Sequence, residues 1–180
     1  MAKTTSHTLS VERLTAIEDA VAALAEPLMP HGVALVAVAL EKEFGRWRLQ
    51  IAIEQPPAGV SLDICQAVSE ALDARLDDLP ALADLSYDLE VSSPGVDRLL
   101  KSARELRFYR GRAVTLRARR PGKREPLPVT SGLLGDYDPT SGALTILNPD
   151  DAERPSACID FNPATLEIRL NTPVTLPDPL

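Results

Sequence analysis

The stretch Leu89-Glu90-Val91-Ser92-Ser93-Pro94-Gly95-Val96-Asp97-Arg98 joins two unlike halves of the chain. Its first part continues an alternation that starts at Ser86. Tyr87, Leu89 and Val91 face one way and Asp88 and Glu90 the other, the period of a half-buried strand over Ser86 to Ser92. Ser93-Pro94-Gly95 then stops the pattern. Proline holds its own φ at about −65° and drives the preceding residue extended, while glycine enters positive φ without steric cost. Such a turn is stiff and directional, so residues 94–98 read as an interdomain joint and not a floppy linker. A stiff joint lowers the ordering cost of binding when two domains meet one surface.

Toward the N-terminus, residues 9–29 predict an amphipathic helix. Val11, Leu14, Ile17, Val21, Leu24 and Leu28 recur at helical spacing, Ser10 is a candidate N-cap, and Pro27, Pro30 and Gly32 end the helix. Val33 to Leu40 is a short Val/Ala-rich run that reads as a strand, and Glu43-Phe44-Gly45 is a turn. Arg46 to Glu54 alternates, with Trp47, Leu49, Ile51 and Ile53 against Arg46, Arg48, Gln50 and Ala52, so the two runs predict an antiparallel hairpin. After the loop Gln55 to Gly59, Ser61 is a candidate N-cap and Asp63 complements the helix dipole. Ile64, Ala67, Val68, Ala71, Leu72 and Leu76 form the expected buried stripe, with Cys65 beside it as a structural thiol. The order αββαβ over residues 9–93 predicts a two-layer α/β domain with both helices on one face.

Toward the C-terminus the pattern changes. A short helix is expected over Ser102 to Phe108. Strand-like runs follow at Ala113 to Arg119, Thr130 to Tyr137, Ala143 to Leu147, Ala157 to Phe161 and Leu166 to Leu170, punctuated by Gly111, Gly132 and Gly142. Five short strands with polar turns suggest a small barrel over residues 99–170, giving an α+β chain of two domains. Residues 1–8 and 171–180 lack periodicity, the latter with three prolines, and are expected to be a mobile N-terminus and tail.

A chain of 180 residues is long enough to bury a core without disulfides or metal. The longest apolar run, Val33 to Leu40, is far short of the roughly 20 residues of a membrane span, and no apolar stretch follows Lys3 as a secretory signal requires. Cys65 and Cys158 lie far apart with no CxxC spacing, which suits a reducing cytoplasm. His7 and His31 are the only histidines. With no GxSxG and no P-loop, and with the pairs Asp77-Asp78 and Asp150-Asp151 in polar surroundings, the sequence offers no catalytic constellation, metal site or cofactor cradle.

The net charge of −7 hides an asymmetry. Residues 1–95 hold 6 basic and 15 acidic side chains, residues 96–125 hold 11 and 3, and residues 126–180 hold 2 and 8. Nine of the eleven cations in the middle belt are Arg, whose planar fork of donors suits phosphate and carboxylate. A basic belt on an otherwise acidic body is either a solvated face or a defined anion-docking surface, RNA phosphate being the foremost anion. Its candidate binding residues are Lys101, Arg104, Arg107, Arg110, Arg112, Arg117, Arg119, Arg120, Lys123 and Arg124, with 101, 104 and 107 at i, i+3 spacing. Phe108 or Tyr109 can offer a stacking face, although a barrel mouth needs at least one as an apolar plug. Ser93, Pro94, Gly95, Asp97 and Arg98 are the joint candidates. Asp97 and Arg98 can pair with the neighbouring domain, or Arg98 can meet RNA directly.

The stretch Leu89 to Arg98, followed by Phe108-Tyr109-Arg110-Gly111 and a strand, resembles the bacterial ribosome maturation factor RimP family. The opening helix, Leu49-Gln50-Ile51-Ala52-Ile53, Val60-Ser61-Leu62-Asp63 and the closing strands follow in the family's order, over about residues 9 to 170. One departure is Leu99, where the family usually has proline before Leu100. The resemblance implies an N-terminal α/β domain followed by an Sm-like, SH3-like β-barrel. It further implies a non-enzymatic, cytoplasmic assembly factor, expected to be monomeric when free and without cofactor. Such a factor acts in late maturation of the small (30S) ribosomal subunit, contacting the immature particle through a ribosomal protein and ribosomal RNA.

Overall fold

The structure, a computed structural model, describes residues 9–95, 98–118 and 129–171. The chain divides into two compact units, Met1–Pro94 and Gly95–Leu180.

The first unit has the order α1 (Val11–Ala25), β1 (Ala34–Glu43), β2 (Arg46–Glu54), α2 (Leu62–Leu76) and β3 (Tyr87–Ser92). Both helices start as their caps dictate: the Ser10 and Ser61 hydroxyls accept from the Arg13 and Ile64 N–H groups. The sheet runs β1-β2-β3. The hairpin pair β1–β2 is antiparallel, and β2 pairs with β3 in parallel because α2 carries the chain back between them. Leu49, Ile51 and Ile53 alternate into a core that Ile17, Val21 and Ala25 of α1 and Val68, Leu72 and Leu76 of α2 cover. Each such fully buried Ile or Leu contributes about 2 kcal/mol by transfer from water. The opposite face of β2 is polar: Arg48 pairs with Glu43 at 3.0 Å and Glu90 at 3.4 Å.

Two apolar stripes are narrower than their spacing predicts. Val11 is 78% exposed, while Leu9 before the helix and Ala22 and Ala25 within it are buried. In α2 the small residues Ala67 and Ala71 face solvent, and burial is confined to Val68, Leu72 and Leu76. Cys65 packs against the core from the edge of that stripe. β1 extends three residues past the expected Leu40, since hydrogen bonding to β2 continues to the pair Glu43–Arg46.

The second unit contains β4 (Leu99–Leu100), α3 (Ala103–Phe108), β5 (Ala113–Ala118), β6 (Val129–Tyr137), β7 (Ala143–Asn148), β8 (Asp151–Asp160) and β9 (Leu166–Leu170). They form one six-stranded sheet in the order β4-β9-β5-β6-β7-β8, with every neighbouring pair antiparallel. Six strands stand where periodicity suggests five, and among the described residues no ladder joins β4 to β8. The unit is thus an antiparallel sheet with one apolar face, made by Leu100, Val114, Leu116, Leu134, Leu144, Ile146, Ile168 and Leu170. Leu99 of β4 pairs with Arg169 of β9. A Cβ at Gly132 would overlap the Ile146 side chain and one at Gly135 would lie 2.8 Å from the Thr145 carbonyl, so β7 packs against β6 only because these positions are glycine. Asn171 extends the ladder: its N–H donates to the Ala113 carbonyl at 2.9 Å and its Oδ1 accepts from the Thr115 hydroxyl at 2.6 Å. The loop Arg120 to Pro128 and both expected mobile ends, apart from Asn171, lie outside the described residues.

Candidate nucleic-acid interface

The belt enters the second unit at Arg98, whose Nε donates to Glu105 Oε1 at 2.5 Å. Glu105 is 2% exposed, and its other oxygen accepts from the Lys101 N–H at 2.8 Å, the Ser102 N–H at 2.9 Å and the Ser102 hydroxyl at 2.9 Å. Ser102 Oγ in turn accepts from the Glu105 N–H, closing a capping box at the start of α3. A buried carboxylate is tolerable only with its lone pairs occupied and a cation beside it. Arg98 supplies that cation from the residue just before β4, inside its own unit.

Lys101 precedes the N-cap of α3, so helical spacing places only Arg104 and Arg107 together. Leu106 is fully buried beneath them, and Tyr109, 3% exposed, closes the apolar end with Phe108 edge-on at 4.9 Å. Tyr109 is therefore the plug, and Phe108 is the half-buried ring of the pair. Arg110 makes a two-point pair with Asp136 on β6, Nε to Oδ1 at 2.8 Å and Nη2 to Oδ2 at 3.0 Å, with both side chains mostly exposed. Arg112 lies opposite Leu134, since the Leu134 N–H donates to the Arg112 carbonyl at 2.9 Å. That register turns its side chain toward the apolar face, and its Nε is buried without a hydrogen-bond partner among the described residues. Arg117 points the other way, onto an outer-face cleft lined by Thr115, Arg117, Glu167 and Arg169. There Arg169 pairs with Glu167 at 3.2 Å, and Arg117 has no ion pair among the described residues.

The belt thus sorts by engagement. Arg98 is committed to Glu105 and Arg110 to Asp136, Lys101 and Arg104 take part in further local contacts, and Arg107 and Arg117 are exposed guanidiniums without an ion-pair partner among the described residues. Arg119, Arg120, Lys123 and Arg124, like Val96 and Asp97 of the joint, lie outside those residues. Gly95 has φ of +75°, the left-handed conformation its place after Pro94 predicts, and among the described residues no atom beyond its chain neighbours stands within 4 Å of where its Cβ would be. The device that sequence reasoning missed is Glu105. Its signal was Ser102-Ala103-Arg104-Glu105, the spacing of a capping box.

Among the described residues no group of three or more His, Cys, Asp or Glu side chains is arranged to hold a metal ion, and no helix is long and apolar enough to cross a membrane. What the arrangement offers chemically is anion contact through guanidinium groups on a rigid sheet-and-helix frame. Residues 23–97 match the family model described as the RimP N-terminal domain. That segment runs from within α1 through the whole first sheet to residue 97, and by this match the first unit is similar to the RimP N-terminal domain.

Proposed function

We propose that the protein is a non-enzymatic assembly factor that binds the immature small ribosomal subunit late in its maturation, in the cytoplasm, through ribosomal RNA and a small-subunit ribosomal protein. The observation that carries this reading is the family match over residues 23–97, which takes in β3 and the five residues after Ser92. The second unit supports it. Its antiparallel sheet with one apolar face is what an Sm-like module requires, and it bears the exposed guanidiniums of Arg107 and Arg117. Residues 93–98 act as the joint in this reading, and the undescribed cations Arg119, Arg120, Lys123 and Arg124 extend the anion-contacting surface. The acidic remainder of the chain repels bulk nucleic acid, which favours one defined docking site over indiscriminate coating.

Sedimentation with purified subunits tests the proposal. The protein should travel with small-subunit precursors and not with mature small subunits or large subunits. Equal binding to precursors, mature subunits and unrelated folded RNA would instead assign a general RNA-binding module.

A further inference from the structure

The tip of the β1–β2 hairpin carries a residue that neither local conformation nor packing explains. The last paired residues are Glu43 and Arg46, so Phe44 and Gly45 alone make the turn. Both have positive φ, +48° and +86°, which marks the type I′ geometry of tight hairpins. Asn-Gly and Asp-Gly dominate such turns, because a Cβ is strained in the left-handed region and a polar side chain can bond locally to offset it. Phe44 has neither advantage, and it is fully exposed. The aromatic residue next to it, Trp47, is half-buried and has Lys42 Nζ 5.5 Å from its ring centre, so Phe44 alone stands out from the sheet.

The surroundings say what kind of partner such a side chain meets. Arg46 lies 3.6 Å from Asp88, and Arg48 is held by Glu43 and Glu90. These cations are neutralised locally, and residues 1–95 hold 15 acidic against 6 basic side chains. A surface of that sign repels a phosphate backbone and attracts a basic protein. An aromatic ring on a stiff two-residue turn also loses little conformational freedom on burial, the property of aromatic anchors at protein interfaces.

We propose that Phe44 is an anchor by which the N-terminal unit inserts an aromatic ring into an apolar pocket of a basic protein partner. The inference rests on the subunit-binding reading for where that partner resides, and it separates a protein contact at the hairpin from the anion contacts of the belt.

Phe44→Asn tests it, with small-subunit precursors as the probe in sedimentation across a salt series. Asparagine suits the left-handed position, so the variant should fold and melt at or above the wild-type temperature. It should bind precursors at least ten-fold more weakly with an unchanged slope of log affinity against log salt, since no phosphate contact is lost. A benzophenone side chain at position 44 should cross-link to a protein of the particle. Unchanged affinity of Phe44→Asn overturns the anchor and leaves the subunit reading standing. A shallower salt slope, or cross-linking to RNA or to a second copy of this chain, overturns the basic-protein partner. Failure of the wild type itself to bind overturns the subunit reading, and the anchor with it.

Discussion

The Arg98 Nε and the Glu105 Oε1 are 2.5 Å apart, with the arginine side chain 22% and the glutamate side chain 3% exposed. This pair fastens the residue before β4 to the first turn of α3, and the same carboxylate collects two backbone N–H groups and a hydroxyl. Removing the carboxylate takes a buried partner from a half-buried cation and from three donors together. Glu105→Ala should therefore destabilise the second unit by about 3 kcal/mol, the scale for breaking a buried pair from one side. Arg98→Ala should cost less, because the backbone donors still satisfy Glu105. The double variant should be less destabilised than the two single costs added. Urea denaturation of the three variants measures this, and simple additivity would show that the two groups are not coupled.

Gly95 offers a second test. Its φ of +75° penalises any side chain by about 1–2 kcal/mol through the backbone alone, because nothing crowds the Cβ position. Gly95→Val should show that loss in denaturation while far-ultraviolet circular dichroism stays native. Gly95→Asn, which tolerates the left-handed region, should lose less than Gly95→Val. If the segment acts as a stiff joint, precursor binding should weaken in the same order. Equal stability of the two variants would remove the conformational argument.

How legible each element was depended on whether one of its faces is buried. β2 could be read to the residue because buried Leu49, Ile51 and Ile53 recur at every second position, with Arg48 and Gln50 half-exposed on either side of the first of them, and both N-caps of the first unit were visible in Ser10 and Ser61. β8 was only partly legible, since most of its ten residues are exposed and alternation begins only near Ala157. β4 is two residues long and exists through its pairing with β9, far away in sequence. The same distinction holds for the candidate interface. The density of Arg between positions 96 and 125 is plain in the sequence, whereas the pairing of Arg110 with Asp136 depends on how the turn before β5 packs against β6. The inward register of Arg112 likewise follows from the ladder with Leu134 and from no local signal.

The turn between β6 and β7 makes a pH-dependent contribution. Asp138 accepts from the Ser141 hydroxyl at 2.6 Å and from the Thr140 N–H at 2.8 Å. These bonds, that from the Ser141 side chain foremost, hold its carboxyl below the ordinary aspartate value. A pKa lower in the folded than in the unfolded state means that the unfolded chain takes up the proton first as pH falls. The stabilisation is complete above the ordinary aspartate value and disappears as pH drops through the depressed one. Asp138→Ala should melt below wild type at pH 7, and the gap should narrow toward pH 3. A gap that is constant with pH would assign the effect to turn geometry without the charge.

The sorting of the belt predicts which substitutions reach binding without harming the fold. Arg98→Glu would place two carboxylates together in a buried site and should unfold the second unit, so loss of binding there carries no information about RNA. Arg110→Glu would confront Asp136 and mixes the same two effects. Arg107 and Arg117 are exposed and have no ion pair among the described residues, so their reversal should cost within about 0.5 kcal/mol each. If both meet phosphate, Arg107→Glu with Arg117→Glu should bind precursors more weakly and flatten the log–log salt dependence by roughly 1.5 units, the counterion release of two lost contacts. The slope is the discriminating measurement. A mutation that merely loosens the fold lowers affinity at every salt concentration but leaves the number of counterions released unchanged. Wild-type affinity and slope in the double variant would show that these two arginines are a solvated face. Docking would then fall to the cations between positions 119 and 124 or to protein contacts.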